Sequence, residues 1–310
     1  MGYAVVLGEA LVDLIDGHCD GQPVYRQAIG GGPLNVAVGA ARLGCDVQFA
    51  GSLGDDVLAG RIRDFLTAAG VGQRGVVGKP APTALGVVTL DGAEPDFRFY
   101  GEPPSYGLLG PDDLDEDLIA GADVLYCGSI ALLAPATRAA ARRAWALAGG
   151  LRVFDPNVRP RLLTGAGALD DLRALVAEFA AGAHLVKLSA ADAGLLHPDL
   201  SVEQAARLLR SYGAEAVVVT RGADGATVVA GEEAVAVPAP RVRAVDATGA
   251  GDAVMGALVA DLVVEGPVAD RADWPQRVAF ALQVAGLVCE SPGGAVSMPT
   301  RAQVLTRFAG

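Results

Sequence analysis

The chain has 310 residues and a mass of 31.3 kDa, a length that fits one large domain. Hydrophobic residues reach 52% against 19% charged, which excludes a disordered or coiled-coil chain. The formal charge of -12 opposes binding to nucleic acid or to an anionic membrane face, so any anionic ligand must be captured locally.

An apolar run at 4–7 predicts a buried first strand, with no basic cluster ahead of it and Val6 where a myristoylation signal needs Ser or Thr. No export signal or lipid anchor is expected. Segment 11–29 reads as a hairpin with an exposed polar face, followed by a helix at 34–43, a strand at 47–50 and a helix at 57–69. A second hairpin is expected at 83–100, where Phe97 and Phe99 share one side of a strand. Beyond it, strands at 124–127, 151–154, 185–187 and 216–220 alternate with helices at 135–147, 169–180, 202–212 and 253–264. This alternation predicts a mainly parallel, doubly wound α/β sheet covered by helices on both faces. The two hairpins break the pattern and are expected to form a small β-sheet lid inserted in a single domain over 1–310, since no linker or repeat divides the chain. The apolar runs 253–264 and 278–289 contain Asp261 and Gln283 and are too short to span a bilayer; they read as buried helices. Cys19, Cys45, Cys127 and Cys289 form no C-x-x-C pair, which fits free thiols in a reducing cytoplasm.

The chemistry sits in the loops. Asp246-Ala247-Thr248-Gly249-Ala250-Gly251-Asp252 runs directly into a helical segment. Small residues at Gly249, Ala250 and Gly251 let backbone N–H groups converge, and the helix adds its positive end, so the turn can hold a phosphoryl group. Asp252 is then placed to accept the proton of an attacking hydroxyl, although an isolated aspartate here could equally cap the helix. Gly30-Gly31-Gly32-Pro33-Leu34-Asn35 precedes another helix; its glycines admit a ligand against the backbone, and Asn35 offers a donor and an acceptor to vicinal hydroxyls. Phe154-Asp155-Pro156-Asn157-Val158-Arg159 follows a strand, where open α/β sheets bind ligands, and Arg159 is the candidate phosphate clamp. Later strand ends add Lys187-Leu188-Ser189 and Thr220-Arg221-Gly222-Ala223-Asp224-Gly225 on the same edge. Lysine occurs only at Lys79 and Lys187, so each is a possible phosphate ligand, with an ordinary solvated side chain the alternative at Lys79. Hard oxygen ligands from Asp246, Thr248 and Ser297, on two adjacent loops, would suit a potassium ion beside the anion-binding turn.

Together these five segments resemble the PfkB, or ribokinase-like, family of carbohydrate kinases over nearly the whole chain. Gly31-Gly32-Pro33-Leu34-Asn35 is similar to the family's N-terminal signature, and the Asp246 to Asp252 run to its C-terminal one. Gly8-Glu9-Ala10-Leu11-Val12-Asp13, Asp155-Pro156-Asn157-Val158-Arg159 and Val186-Lys187-Leu188-Ser189 are most similar to bacterial fructokinases and the neighbouring 2-keto-3-deoxygluconate kinases. The resemblance implies a ribokinase-like three-layer α/β/α fold and transfer of the γ-phosphoryl group of MgATP to a primary hydroxyl of a neutral sugar, fructose first. It implies Asp252 as base, Asp13, Gly31, Gly32, Asn35, Phe99 and Asn157 around the sugar, Lys187 and Ser189 on the nucleotide side, and Thr220, Gly222 and Gly225 bordering ATP. It also implies a homodimer packed through the lids, with Phe97 or Phe99 facing the sugar or the lid core.

The chain departs from the family pattern at three places. Ala247 stands where a threonine is common, Ser189-Ala190-Ala191-Asp192 replaces the frequent Asn-x-x-Glu that organises magnesium, and Phe99-Tyr100-Gly101-Glu102 lacks the arginine that often follows the lid's aromatic pair. A Walker P-loop is excluded because neither lysine lies in G-x-x-x-x-G-K-[ST], and a dinucleotide fold because Gly8-Glu9-Ala10-Leu11 lacks G-x-G-x-x-G. His18, His184 and His197 are scattered and no G-x-S-x-G occurs, so neither a zinc site nor a hydrolase nucleophile is indicated. The readings that compete with fructokinase are 2-keto-3-deoxygluconate kinase, ribose or nucleoside kinase and, from another class, a non-catalytic sugar-binding regulatory protein.

Overall fold

The computed structural model describes residues 2–91 and 94–308, and of residues 89–91 and 94–97 only the backbone. The strands are β1 (Tyr3–Leu7), β2 (Leu11–Cys19), β3 (Gln22–Gly30), β4 (Asp46–Leu53), β5 (Gly72–Gly78), β6 (Leu85–Asp91), β7 (Glu94–Tyr100), β8 (Val124–Gly128), β9 (Leu151–Asp155), β10 (Leu185–Ser189), β11 (Ala216–Thr220), β12 (Ala226–Val229) and β13 (Ala234–Val237). Among the described residues a nine-stranded sheet runs β13-β12-β11-β10-β9-β8-β1-β4-β5. It is parallel from β5 to β11. β12 and β13 turn it antiparallel at one edge.

Each face of this sheet is apolar and needs its own cover. Helices α1 (Gly32–Arg42) and α2 (Val57–Ala68) pack on one face; α3 (Glu116–Ala120), α4 (Pro135–Leu147), α5 (Ala168–Ala180), α6 (Ala190–Leu196) and α7 (Val202–Ser211) cover the other. The first face is completed by α8 (Ala250–Glu265), α9 (Trp274–Cys289) and α10 (Arg301–Phe308). The result is the three-layer α/β arrangement expected from the sequence. α8 is buried along most of its length, which explains why its sequence is apolar all round.

Strand order reverses on either side of β1, since later strands add beside β4 in one direction and beside β8 in the other. Ligands of open α/β sheets bind at such a switch point, beyond the carboxyl ends of the strands. The loops after β1, β8 and β9 all end there.

The two hairpins form a separate four-stranded sheet in the order β3-β2-β6-β7. Asp13 pairs with Ala28 and Gly86, and Gly86 with Phe99, so Asp13 and Phe99 lie in one row across one face of this lid. The side chain of Phe97 lies outside the described residues. Asp56 anchors the lid's entry: it caps α2 by accepting from Leu58 and Ala59, and it takes the backbone N–H of Thr83 at 2.8 Å and its hydroxyl at 2.6 Å. These donors outweigh the effect of partial burial and hold the Asp56 carboxyl below the usual range.

β5 and the β12–β13 hairpin lie outside the strands expected from the sequence. β5 carries three glycines and no fully buried residue, and each strand of the hairpin has only four residues, so neither shows a readable alternation.

Candidate active site

Gly249 caps α8 with φ 79°, a backbone conformation suited to glycine, and a methyl group on it would lie 2.8 Å from Gly294 Cα. The turn therefore packs directly on the 293–297 loop and delivers Asp252 into the first turn of the helix, 8% exposed. The Asn35 side-chain amide, from the first turn of α1, donates to Asp252 Oδ2 at 2.8 Å. The Asn157 side-chain amide, just beyond β9, donates to Oδ1 at 3.3 Å. Burial raises the Asp252 carboxyl above its ordinary value, against the pull of the Lys187 charge and the two asparagines. A carboxylate so held can accept a proton.

Asp252 does not cap its own helix: both oxygens face side chains from other elements. Of the backbone N–H groups at 249–251, that of Ala250 donates to Ala247 O at 3.1 Å, which leaves Gly249 and Gly251 as the candidates for anion binding.

Beneath this turn lies a buried ion pair. Lys187 Nζ donates to Asp155 Oδ2 at 2.8 Å, and Asp155 Oδ1 accepts the N–H of Asn157 at 3.0 Å. A methyl group at Gly251 would meet Lys187 Nζ at 3.1 Å. Burial pushes Asp155 up to about 6 in spite of Lys187, whereas Lys187 itself stays raised because Asp155 and Asp252 offset its desolvation. Lys187 thus holds a positive charge under the first turn of α8. The family resemblance places it along the nucleotide side; in the structure it is 3% exposed and paired with Asp155. Ser189 is likewise engaged: its hydroxyl donates to Asp192 Oδ2 at 2.8 Å in a capping box at the start of α6, and Asp192 Oδ1 takes the Val158 N–H. The Ser189-x-x-Asp192 segment therefore braces the loop after β9.

A cavity of about 90 Å³ opens over Asp252, walled by Glu9, Asp13, Asn35, Phe99, Arg159 and Thr248 among others. Leu11, Gly31, Gly32, Gly249, Ser129 and Ile130 complete its lining. Burial lifts Asp13 to about 6, opposed by the Arg159 guanidinium. Arg159 Nη1 donates to Asn157 Oδ1 at 2.6 Å and to backbone carbonyls at 3.3 and 3.2 Å, so its fork is aimed from within the same loop. A small space bounded by three carboxylates, a carboxamide and a guanidinium suits a molecule dense in hydroxyl groups.

The remaining predicted residues stand outside this cavity. Thr220 pairs in register with Ser189, and the 222–225 turn continues from it along the carboxyl edge of the sheet. Asp246 accepts the N–H of Thr248 at 2.8 Å and that of Gly293 at 3.0 Å, joining two loops. Those donors hold its carboxyl below the ordinary value although burial works the other way. Ser297 donates to the Gly293 and Gly294 carbonyls in the second loop. Lys79 pairs with Asp113 at 2.7 Å. Glu9 and Ser129 have no role that the sequence motifs reveal. Glu9 carried a signal, as a lone carboxylate inside an apolar run, but Ser129 carried none.

Residues 1–301 match the pfkB family carbohydrate kinase profile. The chain belongs to this family. Fructokinase-1 of Zea mays is 35% identical over 97% of this kinase and 96% of its own length. A fructokinase from Vibrio cholerae O395, solved in its fructose, ADP and calcium ion bound form, superposes with a TM-score of 0.88 at 30% identity, covering 99% of this chain and 98% of that one. Aminoimidazole riboside kinase from Salmonella enterica, complexed with aminoimidazole riboside and an ATP analog, gives 0.85 at 29%, covering 99% and 100%. Among the described residues, no helix of the kinase is long and apolar enough to cross a membrane.

Proposed function

We propose that the kinase phosphorylates a primary hydroxyl of a neutral sugar, with fructose giving fructose 6-phosphate as the first candidate. The observation that carries this reading is Asp252: a buried carboxylate at the amino end of α8, fixed by two carboxamides and opening onto a small polar cavity. Asn35 and Asn157 keep its oxygens directed toward the acceptor, so it takes the hydroxyl proton as the oxygen attacks. Lys187 and the Gly249 and Gly251 amides place positive potential where negative charge grows on the transferred group, and Arg159 holds its oxygens. Asp13 and Phe99 bring the lid onto the sugar and exclude water. MgATP, when bound, supplies the γ-phosphoryl group. Among the described residues no three metal-ligating side chains cluster, which fits a magnesium ion carried on the nucleotide phosphates with water and few protein ligands. The fructose-bound and ATP-analog-bound relatives support both ligands.

An acidic acceptor, 2-keto-3-deoxygluconate, is the second reading, favoured by Arg98 and Arg161, which line an adjoining cleft of about 390 Å³ that shares Phe99 with the cavity. Assaying ATP-dependent phosphorylation over a panel of neutral and acidic sugars separates the two. Turnover of ketodeoxygluconate at least about tenfold more efficient than that of every neutral sugar would reverse the order. A potassium ion held between the Asp246–Thr248 and 293–297 loops, and a homodimer packed through the lids, belong to the same proposal.

A further inference from the structure

One buried carboxylate touches two walls of the cavity at once. Glu9, just past β1, is 1% exposed. Its Oε1 accepts the Gly32 N–H at 3.2 Å and its Oε2 the Ala131 N–H at 3.2 Å. Gly32 opens α1, the helix that carries Asn35 to Asp252. Ala131 belongs to the short 3-10 turn Ile130–Leu133, and Ser129 and Ile130 line the cavity. The two N–H groups reach different oxygens of the side chain, a pair of acceptors that a carboxylate supplies and a carboxamide does not. A buried charge is costly, and a structure built for stability alone would avoid it.

On the sugar-kinase reading above, we infer that Glu9 is a positioning residue for the acceptor: it clamps the 31–32 turn to the 129–131 loop and so sets the pocket's width and the aim of Asn35. It does this without handling the proton, because the hydroxyl-activating oxygens belong to Asp252.

Glu9→Gln in the full chain tests this. One of the two backbone N–H groups then faces an NH₂ group, the Gly32 and Ala131 amides lose hydrogen-exchange protection, and the KM for the accepted sugar rises about tenfold or more. The KM for ATP stays within about twofold. Glu9→Asp, which keeps the charge but is too short to span both amides, gives the same split and replaces the first variant should that one fail to fold. Unchanged sugar KM, or equal losses for sugar and ATP, would overturn the clamp. Exchange at the two amides needs no substrate. If the wild-type chain phosphorylated no sugar, the functional reading would fall, while unchanged protection in the variant would separately remove Glu9's role.

Discussion

Asn35 Nδ2 lies 2.8 Å from Asp252 Oδ2, a hydrogen bond between residues 217 positions apart that joins the first turns of α1 and α8. The two signature segments meet in this one contact, and several expectations rest on it.

Asp252→Asn removes the proton acceptor while keeping size and burial. The expected result is a fall in kcat of roughly 10²-fold or more, with sugar affinity by calorimetry little changed. A folded variant with near-normal kcat would leave Asp252 as a structural link to Asn35 and Asn157.

Asn35→Asp sets a second carboxylate against Asp252. Like charges at this range raise the pKa of the pair, so at neutral pH the base is protonated and kcat drops. Activity should recover in part as the pH is raised toward about 9, which the wild type does not need. A pH–rate profile parallel to that of the wild type would contradict the contact.

Lys187→Met leaves Asp155 buried without its cation. Loss of one partner of such a pair costs about 3–5 kcal/mol, and thermal unfolding should show it. Combining Lys187→Met with Asp155→Asn should restore much of the stability but not the rate, because the charge under the 249–251 turn is still missing. Restoration of both would make the pair purely structural.

Glu9 gives a signed pH effect on stability. Burial lifts its carboxyl to about 7 from the ordinary 4.5, so between these values the folded chain binds more protons than the unfolded one. Stability from this group is therefore highest below that window and falls as the pH rises through it, with a limiting slope of about 1.4 kcal/mol per pH unit. The difference in Tm between wild type and Glu9→Gln should shrink from pH ~5 to pH ~7. A difference that stays flat would place Glu9 in a more solvated setting.

The lid predicts an oligomer. The outer half of β3 is exposed, with Tyr25 at 55% and Val24 at 38%, and Tyr100 on β7 is 54% exposed, more apolar surface than a thin sheet usually leaves open. Sedimentation at micromolar concentration should give a dimer, and Phe99→Ala should raise the sugar KM several-fold. A monomer together with an unchanged KM would count against both.

The layered fold was legible in the chain because its period is local: β-branched runs bury strands, alanine-rich runs bury helices, and neither needs a distant partner to be recognised. The signature at 246–252 was legible for the same reason, since a glycine turn and the helix after it are neighbours in sequence. The edge strands β5 and β13 escaped because neither buries an alternating face, and β12, buried along its whole length, because four residues are too few to show a period. Only the tertiary structure decided what Lys187, Ser189 and Glu9 touch. Lys187 reads as a possible phosphate ligand, and only the fold shows that Asp155, from the neighbouring strand, pairs with it. Ser189 reads as lining the nucleotide side, and only the fold shows its capping box with Asp192. Glu9 stands out as a carboxylate in an apolar run, but it has no role until α1 and the turn after β8 bring their amides to its two oxygens. A side chain's chemistry is written in its type, but whether that chemistry faces a ligand or the protein's own interior depends on which distant donors and charges the fold sets beside it.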